Sequence, residues 1–146
     1  MEISTTRFGM LSVDVDDLLH FPRGVIGFEE CRHWVLLADG NSSAVGWLQS
    51  AERPAVALAV VSPRRFANDY RIRLGQSQMA PLALSPPDRL FALCVVSRKE
   101  GRYTMNLRAP ILINLDRRLG CQVITSDDQP VQMDLVPPVA QLRKSA

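Results

Sequence analysis

A chain of 146 residues suits a single domain, and an apolar content of 47% supports a core and is too high for a disordered protein. The net charge of +2, from 17 basic and 15 acidic residues, is too mild to demand a nucleic-acid partner. No apolar run approaches the ~20 residues of a membrane span, and the first residues lack the basic-then-apolar layout of a secretion signal. Cys31, Cys94 and Cys121 are widely spaced and form no C-x-x-C pair, which argues against a zinc knuckle and fits a reducing compartment. The expectation is a cytoplasmic protein with no membrane segment.

In chain order, Ile3 to Val15 reads as a hairpin turning at Gly9, and Asp16 to His20 as one helical turn. Phe21-Pro-Arg-Gly-Val-Ile-Gly-Phe-Glu29 places two glycines and a proline between aromatics, which predicts a loop pinned to the core by Phe21 and Phe28. Glu29 to His33 suits a helical turn, Trp34 to Ala38 a buried strand, and Asp39-Gly-Asn-Ser-Ser43 a turn. Val45 to Ser50 reads as a strand with Val45, Trp47 and Gln49 on one face. Ala55 to Val61 is a continuous valine-rich run, as a central strand buried on both faces would be.

Ser62 and Pro63 open a short helical turn. Arg71 to Leu74 alternates polar and apolar like a half-exposed strand. A helix from Ser77 is disturbed by Pro81, and Ser85 to Asp88 is a loop. Leu90 to Val96 is a second continuous apolar strand, with Phe91 and Cys94 read as core. Lys99-Glu-Gly101 turns the chain, and Arg102 to Asn106 continues the ladder. Pro110 to Leu115 and Gln122 to Ile124 read as a hairpin around Asp116 to Gly120. About nine short strands and no long amphipathic helix predict an all-β domain over residues 1–136, barrel-like with a few short helical turns. Residues 137–146, after Pro137-Pro138, read as a flexible tail.

The run Thr104-Met-Asn-Leu-Arg-Ala-Pro-Ile-Leu-Ile-Asn114 starts polar and ends as a tight apolar strand. Asn106, Arg108 and Asn114 are polar groups that a plain core strand does not need. Either the asparagines satisfy turn backbone, or the segment builds a specific surface.

Catalytic signals are sparse. Cys31-x-His33 is the sole local cluster of potential ligands, and it lacks further ligands for a metal. No G-x-S-x-G, P-loop or G-x-G-x-x-G occurs, so neither enzymatic activity nor a cofactor is expected. Arg64, Arg65, Arg71 and Arg73 read as solvated loops, or in an alternative as the face of an RNA-binding barrel. Single-strand binders expose stacking aromatics, but aromatics are only 6% here, and Trp47 and Tyr70, then Phe66, are the remaining candidates. A protein-interaction module remains. Phe66, Asp69 and Tyr70 after a short turn, with Asn106 and Arg108, are its candidate anchors, since Tyr and Arg are enriched there. The competing role for Phe66 and Tyr70 is to plug one end of the barrel.

Five stretches together resemble the bacterial flagellar assembly factor FliW family. Phe21 to Glu29 resembles its F-P-x-G-I-x-G-F-E loop, and Trp47-Leu-Gln-Ser50 its W-L-Q-S strand. Pro63, Phe66 and Asp69-Tyr70 resemble P-x-x-F-x-x-D-Y, and Thr104 to Asn114 resembles T-x-N-L-x-A-P-I-V-I-N. Arg118-Leu-Gly-Cys-Gln-Val-Ile124 resembles R-x-G-x-Q-V-I. The resemblance implies a non-catalytic, β-barrel-like protein that binds flagellin and the translational repressor CsrA. In this scheme flagellin and repressor compete, so that flagellin secretion frees the factor to relieve repression of flagellin translation, and the factor chaperones flagellin before export. It implies no direct contact with nucleic acid and a monomer when free. The stretch 76–87, usually acidic and helical in that family, is nearly uncharged here and broken by Pro81.

Overall fold

The computed structural model describes residues 1–135. The tail expected at 137–146 lies outside the described residues. The described chain is mostly strand: β1 (Glu2–Thr5), β2 (Gly9–Ser12), β3 (Leu19–His20), β4 (His33–Ala38), β5 (Gly46–Ser50), β6 (Ala57–Val61), β7 (Leu90–Lys99), β8 (Arg102–Met105), β9 (Ile111–Asn114), β10 (Leu119–Gln122) and β11 (Met133–Asp134). One short helix, α1 (Gln76–Met79), and three 3-10 turns complete it. The all-β class expected from the short, turn-bounded strands is the observed one.

β1 and β2 form a separate hairpin, and the other strands form one mixed sheet in the order β11-β8-β7-β6-β5-β4-β3-β10-β9. β9 also pairs with β7, so the sheet bends back on itself into a ring that is joined only narrowly at two-residue β3. Inside the ring, Phe21, Trp34, Leu48, Val60, Ile111 and Ile113 form the main core, all at most 1% exposed. A second cluster around Val61, Tyr70, Cys94, Met105 and Leu135 packs on the other face of β5–β8.

Two glycines are required by close approach. Gly24 has φ +66°, and a Cβ there would lie 2.5 Å from the Glu29 carbonyl oxygen. At Gly120 a Cβ would enter the Phe21 ring, so the glycine is what lets the aromatic loop seat against β10.

Four expectations are corrected. Arg71 to Leu74 is not a strand: Ile72 and Leu74 do turn inward, which produces the alternation, but this segment joins no ladder and is tied instead by Ser126, whose N–H and Oγ–H both donate to Arg73 O. The strand expected at Gln122 to Ile124 lies earlier, at Leu119–Gln122, because the chain turns back at Arg118, which adopts φ +56°. Glu29 to His33 contains no helix, and His33 already belongs to β4. Phe91 is 45% exposed rather than core. β6 ends at Val61 and pairs with β7 only at Val95 and Cys94, so the first residues of β7 have β9 on one side and no strand on the other.

Candidate functional site

The Thr104–Asn114 run is one edge of β7 interrupted by a wide bulge. Met105 pairs with Val96 and Ile111 pairs with Leu93, so residues 106–110 oppose only Cys94 and Val95. Asn106 organises this bulge. Its N–H donates to Val95 O (3.0 Å), and its Oδ1 accepts from the N–H groups of Arg108 (3.0 Å) and Ala109 (3.1 Å). The remaining polar backbone is paired across the fold: Leu107 N–H donates to Pro130 O, Thr125 N–H to Arg108 O, and Val123 N–H to Pro110 O.

Two motif side chains then lock the bulge to distant segments. The Tyr70 hydroxyl, 37 residues away, donates to Leu107 O at 2.5 Å. Tyr70 is only 4% exposed, and burial first of all raises its phenol above the ordinary tyrosine range. Gln122 donates through Nε2 to Ala109 O (2.9 Å), while its Oε1 accepts from Ile26 N–H (2.8 Å). It thus ties the 21–29 loop to the 104–114 segment. Reasoning from the sequence did not single out Gln122; its signal was a polar side chain inside an otherwise apolar strand.

Asn114, fully buried, plays the same part at the far end of β9. Its Nδ2 donates to Leu82 O and Asp88 Oδ2 (3.0 Å each), and its Oδ1 accepts from the N–H groups of Asp116 and Arg117. Arg117 Nε donates to the same Asp88 oxygen at 2.9 Å. The Asn114 amide and then Arg117 hold the Asp88 carboxyl below the usual aspartate range.

The five candidate anchors therefore divide. The fold brings the Phe66–Tyr70 turn and the Asn106–Arg108 bulge together through the Tyr70–Leu107 hydrogen bond. Tyr70 and Asn106 are occupied inside the chain. Phe66 is half-buried against the second cluster, Asp69 is exposed, and Arg108 reaches Asp128 at 2.7 Å as a surface pair worth little on its own.

Cys31 and His33 do not converge. Cys31 is fully buried, whereas His33 lies exposed beside His20, with ring centroids 5.0 Å apart, and 3.7 Å from the Glu52 carboxylate. Among the described residues no group of three His, Cys, Asp or Glu side chains is placed to hold a metal ion. Of the arginine cluster, Arg65 donates to Ser43 O, Arg64 to Tyr70 O, and Arg73 pairs with Asp127. These contacts leave less of the cluster for RNA. No described helix is long and apolar enough to cross a membrane.

These features define a small all-β chain whose motif residues hold loops to a ring. The sequence matches the family described as FliW protein over residues 2–135, and the chain belongs to that family. It is similar to the flagellar assembly factor FliW of Bdellovibrio bacteriovorus, 37% identical over 130 residues, covering 88% of this chain and 74% of that protein. It is also similar to the flagellar assembly factor FliW of Syntrophus aciditrophicus, 33% identical over 139 residues, covering 93% and 88% respectively. A crystal structure of the flagellar assembly factor FliW superposes with a TM-score of 0.87 at 28% identity, covering 94% of this chain and 98% of that one.

Proposed function

We propose that this chain is a non-catalytic flagellar assembly factor of the cytoplasm, monomeric when free, that binds flagellin and the translational repressor CsrA. The observation that carries this reading is the family match over residues 2–135, which contains all five motif stretches. Because the two partners share one factor, each depletes the form available to the other, and flagellin export would release the factor to relieve repression of flagellin translation. The same binding would chaperone flagellin before export.

The proposed interface is the Phe66–Tyr70 turn with the neighbouring bulge. Phe66, Asp69 and Arg108 would meet the partner, while Tyr70 and Asn106 hold them in place. The test is co-purification of the chain with flagellin and with CsrA from the same bacterium. A stable complex with each is expected, and Asp69→Ala combined with Arg108→Ala should weaken at least one without changing the melting temperature. Binding of neither partner at micromolar concentration would remove this reading.

A further inference from the structure

β6 and β7 are neighbours in the sheet, yet their ladder holds only the pairs Val60–Val95 and Val61–Cys94. In the same register Ala59, Leu58 and Ala57 would oppose Val96, Ser97 and Arg98, but the ladder stops short of them. A cavity of about 400 Å³ opens in this fork, lined by the consecutive residues 57–59 of β6 and 95–98 of β7. A pocket on one face of a sheet meets alternate residues, because side chains alternate between faces. Consecutive lining means that the cavity reaches the strand edges themselves. None of the five proposed anchors lines it.

Antiparallel alternation decides which backbone groups point into the fork. Ser50 N–H donates to Val56 O, so Val56, Leu58 and Val60 turn their backbone groups to β5, and Ala57 turns away from it. Asn106 N–H donates to Val95 O, so Val95 and Ser97 turn to the β8 side, and Val96 and Arg98 turn away. Beyond the last ladder pair, the N–H and C=O groups of Ala57 and Arg98 therefore meet no strand. The tip of the β1–β2 hairpin crosses the β6 arm, where Thr6 N–H donates to Pro54 O at 2.9 Å, so the β7 arm is the freer edge. Side chains divide by face: Leu58 and Val95 pack on the main core inside the ring, whereas Trp47, Ala59 and Val96 belong to the second cluster. On that outer face Arg7 lies 4.2 Å from the Trp47 ring centroid, and Arg98 lies 5.6 Å from that of Tyr103. Neither arginine has a carboxylate partner among the described residues, unlike Arg53, Arg73, Arg89, Arg102, Arg108 and Arg117.

We propose that an extended acidic segment of a partner protein adds to the sheet in this fork. Its backbone pairs with the Val96–Arg98 edge of β7, its carboxylates lie on the face of Arg7 and Arg98, and its alternate apolar side chains point toward Leu58 and Val95. The open edge sets the conformation of the occupant, because an unpaired row of N–H and C=O groups is a template for another strand. A helix bonds these groups internally and would leave the edge unsatisfied. Charge complementarity sets the sign of the occupant. Room for it comes from β6, which offers only Ala57 and Ala59 on the outer face of its arm. A second copy pairing through the same edge would set Arg98 and Lys99 of both copies on one ribbon, and like charges across strands are destabilising. The rings of Trp47 and Tyr103 lie under guanidinium groups and are not free to stack on bases.

This inference goes beyond the proposed function and does not depend on either partner named there. The probe is a fluorescein-labelled peptide of about eight residues, an ordinary strand length, alternating glutamate with valine. A counterpart carries lysine in place of every glutamate. Two further versions are N-methylated at every glutamate or at every valine, because alternate residues of a strand direct their N–H groups to opposite edges. Fluorescence anisotropy with the full chain should show saturable binding of the glutamate peptide at concentrations on the order of 100 µM or below. Binding should fall about tenfold or more for the lysine counterpart and for the Arg7→Gln/Arg98→Gln double variant, whose substitutions are both at exposed positions. One methylated version should lose binding and the other should keep it, since only one edge of the added strand meets β7. The proposal is overturned if the glutamate peptide does not bind, if binding ignores the glutamates or the two arginines, or if the two methylated versions behave alike. Binding of an oligouridylate, or self-association of the chain, that is lost in the arginine double variant would overturn it in favour of those occupants.

Discussion

Tyr70 shows how one side chain joins two sequence motifs. Its ring fills the second cluster beside Cys94, and its hydroxyl donates to the carbonyl of Leu107 in the bulge. Removing only the hydroxyl leaves that acceptor without its partner, a loss of about 1–3 kcal/mol. Removing the ring opens a cavity as well, at about 3–5 kcal/mol. Urea denaturation should therefore rank wild type above Tyr70→Phe and Tyr70→Phe above Tyr70→Ala. A Tyr70→Phe variant as stable as wild type would show that the bulge does not rely on this bond. The consequence for interface mapping is direct: Tyr70→Ala mixes folding with binding, whereas Asp69 and Arg108 report on the surface. Gln49 is a comparable internal brace. Fully buried in β5, its Nε2 donates to the carbonyls of Ser50, Pro54 and Val56 and so fixes the β5–β6 turn.

Among the elements, the loop ahead of β7 is held to β9 and the β9–β10 turn by a compact polar knot of Asn114, Asp88 and Arg117. The Asp88 pKa is depressed in the folded chain. Its stabilising contribution is therefore complete above the unfolded aspartate value of about 3.9 and is lost as pH falls through the lower folded value. Asp88→Asn lacks this contribution. Denaturation midpoints of wild type and Asp88→Asn should differ at neutral pH, begin to approach one another below about pH 4 and converge only as pH falls through the lower folded value, and a difference independent of pH would contradict the assignment. Glu52 behaves similarly at β4. Partial burial raises its pKa, but the backbone N–H groups of His33 and Arg32 outweigh burial and hold the carboxyl below the usual range.

For the whole molecule, the clusters packed on the outer face of the ring determine what can reach two of its thiols, Cys94 and Cys121. Burial pushes the Cys94 thiol up to about 12 and the Cys121 thiol up to about 11. At pH 8 their thiolate fractions fall roughly a hundredfold or more below that of a free cysteine. Alkylation of Cys94 and Cys121 by iodoacetamide should be slow in the native chain and should accelerate with urea in step with global unfolding. Rapid native-state labelling of either would mean that the cluster covering it on the outer face of the ring opens locally.

The sequence by itself determined the all-β class, most strand positions, the burial of Cys94 and the aromatic pinning of the 21–29 loop by Phe21. Each of these follows from neighbours a few residues apart: alternation, turn residues, and apolar runs. Family membership was legible for the same reason, because the five stretches are contiguous. Tertiary structure alone decided the rest. Asn106 and Asn114 read either as turn groups or as parts of a specific surface until their acceptors and donors, up to 32 residues away, were in place. The apolar run of β7 does not reveal that β6 departs before reaching Phe91. The contact of Arg7 in the separate β1–β2 hairpin with the Trp47 ring of β5 joins segments forty positions apart that no strand ladder links. A local pattern records which face of a strand is apolar. What lies across from that face, and whether anything covers it, depends on partners that the pattern does not contain.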